Sequence, residues 1–371
     1  MLNKGRISRL LAVAIVAVGL VATACGGTDG SADSGDDGSS TTSGAAGPAA
    51  PSNADIEALT AKVSGGGASF PDAFYQAVDA DFNGIAGSEL VTYAKSGSSD
   101  GRKQLSSGTL DFAGSDSLPK PEETFPSQVL FFPTVAAPIT VSYNLAGIDD
   151  LRLSADTVAG IFGGRITSWA DPAIEADNPD ATLPATKITV VHRSDGSGTT
   201  NNFTKYLSAA APDAWTLGSG DTVNWPAATQ GAEKNSGVAA VIGQTDGSVG
   251  YVDLADAIKA ELTFASIKNA AGSFVAPSAA ATEAAVANAD VAENLTYNPL
   301  NAPGADSYPI TAPTYLLVTR TQPDAARAAT LTTYLRYLLT TGQAQARKLG
   351  FVGLPDDLRQ KAYDQVEEIG G

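Results

Sequence analysis

The run Ile188-Thr189-Val190-Val191-His192-Arg193-Ser194-Asp195-Gly196-Ser197-Gly198-Thr199-Thr200, continuing through Asn201 to Leu207, reads as a β-branched strand, a turn of Gly with Ser and Thr, and a helix. Such a turn carries a helix N-terminus, with its unpaired N–H groups and positive dipole end, to a place where glycine lets a ligand come close. Hydroxyls in the turn add further donors. The same device occurs twice upstream. Gly65-Gly66-Gly67-Ala68-Ser69-Phe70 leads into a helical pattern from Pro71, and Ser96-Gly97-Ser98-Ser99-Asp100-Gly101 precedes Arg102 to Leu105. Two of these turns have charges of unusual type nearby: Asp116, closing Asp111-Phe112-Ala113-Gly114-Ser115-Asp116, and the pair Arg193 and Asp195. Arg193 stands just past an apolar strand, where a guanidinium can fork onto an oxyanion, and Asp195 is placed to hold it. Together these features point to an anion site.

Outward from the turns, short β-branched or aromatic runs alternate with helical patterns, as α/β layers require. Strands are expected at 90–94, 139–144, 188–192 and 315–319. A helix over 71–82 puts Phe74, Val78 and Phe82 on one face, and one over 325–341 buries Ala329, Leu331, Leu335 and Leu338. A final helix is expected over 355–369.

The chain of 371 residues is 43% hydrophobic, enough for two cored lobes. A net charge of −17 argues against nucleic acid and against a basic membrane-binding face. An anion site here has to work through local hydrogen bonds, because the overall field opposes an anion's approach. One His and one Cys leave no cluster for a structural metal and no intrachain disulfide, and no cofactor is implied. Neither GxxxxGK[ST] nor a GxGxxG after a strand is present, which disfavours nucleotide phosphate.

The first residues read as an address. Lys4, Arg6 and Arg9 precede an apolar run from Leu10 to Ala24, too short to span a bilayer comfortably. The Val-Ala-Thr-Ala before Cys25 resembles the lipobox of bacterial lipoproteins. That implies a signal peptide over 1–24, with Cys25 becoming an N-terminus carrying palmitate-type acyl chains on the extracytoplasmic face of the cell membrane. From 26 to about 55, Gly, Ser, Ala, Asp, Thr and Pro form a tether, which as a flexible coil reaches roughly 30 Å.

From about Ile56 onward the chain resembles the periplasmic phosphate-binding receptors of ABC phosphate importers, the PstS family. The resemblance rests on GGGASFP at 65–71, SGSSDGRKQL at 96–105, DFAGSD at 111–116, GGRITSWADPAI at 163–174 and RSDGSGTTNNFTKYL at 193–207. It implies a two-lobed α/β fold of the type II periplasmic-binding-protein kind, with the ligand in the cleft and two hinge crossings, near 142–144 and 310–313. Lobe 1 would comprise 56–142 plus 312–371, and lobe 2 would be 143–311. The phosphate contacts it implies are Ser69, Phe70 through its backbone N–H, Ser98, Asp116, Arg193, Ser197, Gly198 and Thr199, with Asp195 orienting Arg193. Its implied partners are inorganic phosphate and an ABC permease with its ATPase complex. Asp116, an acceptor only, would be satisfied by phosphate, which keeps a proton near neutral pH, and not by sulfate. Asp100 and Arg102 depart from the smaller residues common in that turn, and Asp100 would weaken binding if it faced the cleft.

Other readings remain open on sequence. Gly97-Ser98-Ser99-Asp100-Gly101 fits the G-x-S-x-G elbow of serine hydrolases, with Ser99, Asp116 and His192 in the required order. Against it stand the lack of an HGGG-type loop and a base that would sit immediately before Arg193. A receptor for another tetrahedral oxyanion, or a phosphate protein serving sensing or adhesion, shares every motif above.

Overall fold

The computed structural model describes residues 47–370, so the leader, Cys25 and most of the proposed tether lie outside the described residues. The first half of the molecule comprises α1 (Asn53–Glu57), β1 (Val63–Gly67), α2 (Asp72–Ala86), β2 (Val91–Lys95), α3 (Ser98–Ser106), β3 (Phe112–Ser115) and the start of β4 (Val129–Asn144). There follow β5 (Arg152–Leu153), α4 (Ala155–Phe162), α5 (Pro172–Asp177), β6 (Thr189–Arg193), α6 (Gly198–Ala210), β7 (Gln230–Ala232), α7 (Lys234–Gln244), β8 (Ser248–Asp253) and α8 (Leu254–Lys259). Short strands β9 (Thr263–Phe264), β10 (Ser266–Lys268) and β11 (Phe274–Val275) precede α9 (Ala279–Ala287). The chain then returns to the first half as β12 (Thr311–Thr319), α10 (Ala325–Leu339) and α11 (Asp356–Gln365).

One curled sheet runs through both halves in the order β2-β1-β3-β12-β4-β8-β6-β7. Its spine is β4, which pairs antiparallel with β12 as far as Pro138↔Thr311 and with β8 from Ile139↔Asp253 onward. Proline cannot donate to a ladder, and the two prolines of β4 sit where the ladder is already interrupted. Pro133 lies opposite the register shift between Thr314 and Tyr315, and Pro138 lies at the change of partner. The chain therefore passes between halves at 138/139 and at 310/311, giving the two-lobed type II arrangement. The first passage falls a few residues ahead of Ser142.

In the first lobe β1, β2 and β3 are mutually parallel, and in the second β6 is parallel to β7 and β8. The three Gly turns leave the ends of β1, β2 and β6, at the carboxyl edge where open α/β sheets bind ligands. Phe74, Val78 and Phe82 of α2 are fully buried, as are Leu331, Leu335 and Leu338 of α10. Ala329, expected on that buried stripe, is exposed; Ala328, one residue earlier on the helix, takes the inward position. The final helix ends at Gln365 and tightens into a 3₁₀ turn over Val366–Glu368.

Asp79 of α2 is buried against Tyr334 of α10, whose hydroxyl donates to Oδ1 at 2.6 Å, while Oδ2 has no partner. Burial pushes this carboxyl up to about 7 despite that hydrogen bond. A folded-state value above the unfolded value, about 3.9, stabilises the fold at low pH, and the benefit is lost as pH rises through about 7. Asp79→Asn should therefore gain melting temperature relative to the parent chain between pH 4.5 and pH 8, by the equivalent of a few kcal/mol. A difference that stays flat across this range in calorimetry would refute the buried-acid account.

Candidate functional site

The first two turns are hydrogen-bonded to each other before either meets the second lobe. Gly67 (φ +132°) ends β1, and its carbonyl accepts from Ser96 and Gly97 N–H at 2.8 and 2.7 Å. Gly97 (φ +104°) is the N-cap of α3, so Ser98 and Ser99 already belong to that helix's first turn. A Cβ on Gly101 would stand 2.5 Å from Gly67 Cα, so only glycine permits this backbone stacking. In the second lobe Ser197 caps α6, its Oγ accepting from Thr200 N at 3.1 Å.

The turns converge. Ser98 Oγ accepts from two backbone N–H groups on opposite lobes, Asp116 at 3.3 Å and Gly198 at 3.1 Å. Asp116 Oδ1 accepts from Thr314 Oγ1 at 2.7 Å, and its carbonyl accepts from Asn202 Nδ2 at 2.6 Å. Arg193 forks onto Asp195 through Nε (2.7 Å) and Nη2 (2.5 Å), leaving Nη1 to donate to Asn235 Oδ1 at 2.6 Å. Asn235 in turn donates from its backbone to Ser69 Oγ (3.2 Å) and from Nδ2 to Thr199 Oγ1 (3.2 Å) and Asp253 Oδ2 (2.7 Å). These bonds form two buried clusters, Ser98 with Asp116 and Gly198, and Ser69 with Arg193 and Thr199 through Asn235; the consecutive residues Gly198 and Thr199 join them, with Ser197 adjoining. Phe70 is buried at the entrance to α2, its ring edge-on to Phe351.

This set is rich in neutral donors and carries one guanidinium and one acceptor-only carboxylate, a composition suited to a protonated oxyanion. Burial pushes Asp116 up to about 7, against the Thr314 hydrogen bond and the pull of Arg193, with Asp221 adding to the rise. Burial would raise Asp195 as well, but its bonds to Arg193 hold it below the ordinary carboxylate range. Its Oδ1 also accepts from Lys234 N at 3.1 Å, and Lys234 takes a left-handed backbone (φ +61°) where it leads Asn235 into the network.

Two expectations about neighbouring residues resolve. Asp100 is exposed and accepts from Gln104 Nε2 on its own helix, so it does not belong to the cleft network. The hydrolase elbow is not assembled. Ser99 Oγ donates to Asp221 Oδ2 at 2.6 Å, whereas His192 is stacked on Trp225 with Nδ1 at 2.9 Å from Arg193 O.

Asn235, Thr314 and Asn202 escaped the sequence reading. Asn235 opens a fourth strand-to-helix junction, after Gly231-Ala232-Glu233-Lys234, which lacks the Gly-Ser signature of the other three. Thr314 was legible only as a polar residue inside the apolar run Tyr315–Thr319 extended backward, and Asn202 only as the residue one turn beyond Gly198.

The PBP superfamily domain matches residues 36–341. The phosphate-binding protein PstS of Xylella fastidiosa (strain Temecula1) is 37% identical over 308 residues, covering 81% of this chain and 84% of its own. That of Pasteurella multocida is 37% identical over 319 residues, covering 83% and 91%. The chain belongs to the PstS family. PstS 3 of Mycobacterium tuberculosis is similar too, at 34% identity over 296 residues, covering 76% of this chain and 79% of its own. Among solved structures, a high-affinity periplasmic phosphate-binding protein (PfluDING) bound with phosphate superposes with a TM-score of 0.69 at 23% identity. It covers 82% of this chain and 93% of its own, which supports the PstS-type fold.

Gly198 lies at one of the two closest approaches between the lobes, the other being Gly196 against Ser99: a Cβ on Gly198 would lie 2.5 Å from Ser98 Oγ and 2.7 Å from Asp116 Cβ. Gly198→Ala should hold the lobes apart and enlarge the radius of gyration measured by small-angle X-ray scattering at saturating phosphate. A curve superimposable on the parent chain's would mean the clash is relieved locally, and the close-approach argument would fail.

Proposed function

We propose that the cleft captures inorganic phosphate on the extracytoplasmic face of the membrane and that the closed receptor delivers it to an ABC phosphate permease. The observation that carries this reading is Asp116, an acceptor buried among donors. Ser69, Ser98, Ser197, Thr199, the N–H groups of Phe70 and Gly198, and the Arg193 guanidinium would donate to phosphate oxygens, while Asp116 would accept the ligand's remaining proton. Asp195 and Asn235 would hold Arg193 in its plane. The PstS relatives and the phosphate-bound structure of the same fold support the ligand assignment. The leader and Cys25 support attachment through a lipid, with the tether shorter than the sequence suggests: Ala49 O already accepts from Tyr363 Oη at 2.8 Å and α1 begins at Asn53, so it ends before residue 49 and not near 55.

Sulfate offers no proton to Asp116, so an ionised Asp116 would repel it and receive no hydrogen bond from the ligand, keeping only that from Thr314. Isothermal titration should give tight phosphate binding and no heat with sulfate at pH 8. Asp116→Asn should lower the preference for phosphate over sulfate at least tenfold, because the amide can donate. Absence of phosphate heat in the parent chain would overturn the reading.

The value near 7 for Asp116 adds a sign. As pH falls through 7 the protein itself can supply the shared proton, so sulfate competition should grow between pH 8 and pH 5.5 in the parent chain and stay level in Asp116→Asn. Equal pH profiles in the two proteins would place discrimination elsewhere.

A further inference from the structure

Arg102 is a second buried guanidinium beside Arg193, with only 1% of its surface exposed, and the phosphate network does not use it. All five of its N–H groups have acceptors. Nε and one Nη2 proton go to Glu123 (2.7 and 3.1 Å), and Nη1 donates to Ser115 Oγ (2.9 Å) and Ser117 Oγ (2.8 Å). These four acceptors belong to the first lobe. The fifth, Asp221 Oδ2 at 2.6 Å, lies in the loop between α6 and β7 of the second lobe.

Asp221 is equally prepared on its own side. Its Oδ1 accepts from Asn201 Nδ2 at 2.8 Å in the first turn of α6, and its carbonyl accepts from Ser197 N at 2.9 Å. Oδ2 also receives Ser99 Oγ from the first lobe at 2.6 Å. Burial would raise this carboxyl, yet the guanidinium beside it holds it below the ordinary range, so it is ionised wherever phosphate capture would operate.

We infer that Arg102 and Ser99 of the first lobe and Asp221 of the second form an interlobe latch that favours the closed cleft independently of the anion. A buried ion pair gains nothing if closing must order and desolvate both partners. Here four of Arg102's donors and one of Asp221's oxygens are already engaged within their own lobes, so closure adds the last charge-assisted bonds between groups already oriented. Arg102 is also a positioning residue for Asp116, because Ser115 and Ser117, which it holds, flank that acceptor. The latch therefore ties lobe closure to the placement of the group that accepts the ligand's proton. A receptor whose binding-competent state is more populated has a correspondingly lower apparent Kd.

The test uses the full chain and two readouts, of which the first requires no ligand and stands whether or not the phosphate reading holds. Small-angle scattering without phosphate should show Asp221→Asn more expanded than the parent chain. Stopped-flow measurements with inorganic phosphate should show release about tenfold faster, the equivalent of about 1.4 kcal/mol, with association changed less than about threefold. Ser99→Ala removes one donor and disturbs packing least; it should move both readouts in the same direction by a smaller amount, and it decides the matter if Asp221→Asn does not fold. An unexpanded unliganded chain, or an unchanged release rate in a folded variant, overturns the latch. A parent chain that binds no phosphate would overturn the proposed function and leave the scattering comparison to decide the latch alone.

Discussion

Ser98 Oγ accepts from the backbone N–H groups of Asp116 and Gly198, one from each lobe, and the surrounding geometry follows from how close those backbones must come. Side chains are excluded where chains touch. Gly67 and Gly101 stack within the first lobe, Gly97 lies against Asp195 and Gly196 across the cleft, and Gly198 meets Ser98 and Asp116. Helix N-termini can point donors at a small ligand from several directions only if nothing larger than hydrogen stands between them.

The chain is strongly acidic, yet its cleft is built around two guanidiniums. Each is matched: Arg193 by Asp195, Arg102 by Glu123 and Asp221. The site consequently offers directed N–H and O–H bonds with little net positive field. Under the proposed function, discrimination among anions would then depend on which proton sits on which oxygen, since charge alone would attract any oxyanion equally.

The parts of this arrangement that sequence exposes are those tied to local chain conformation. Gly-Ser turns between a strand and a helix, and an Arg just beyond an apolar strand, are visible because backbone geometry demands those residue types in that order. Asn235 and Thr314 satisfy partners far away in sequence, Arg193 and Asp116, and nothing in their own neighbourhoods calls for them. Arg102 looked like a departure from small residues in its turn; its reason is Asp221, more than a hundred positions along, which only the tertiary fold brings near. The displacement of the buried stripe from Ala329 to Ala328 is of another kind, since two adjacent alanines carry no signal about which one faces inward.

The route of β12 has a consequence for the order in which the molecule can be completed. That strand is interior to the first lobe's sheet, between β3 and β4, and is drawn from residues 311–319. The ladder Ser115↔Tyr315 closes a loop containing the whole second lobe. The second lobe is contiguous in sequence and can finish its own sheet by Ile310, whereas the first remains an open, two-part surface until the last segment arrives. During that interval β3 and β4 each present an unpaired edge, and any factor that guards the emerging chain must cover those edges and not the lobe already closed.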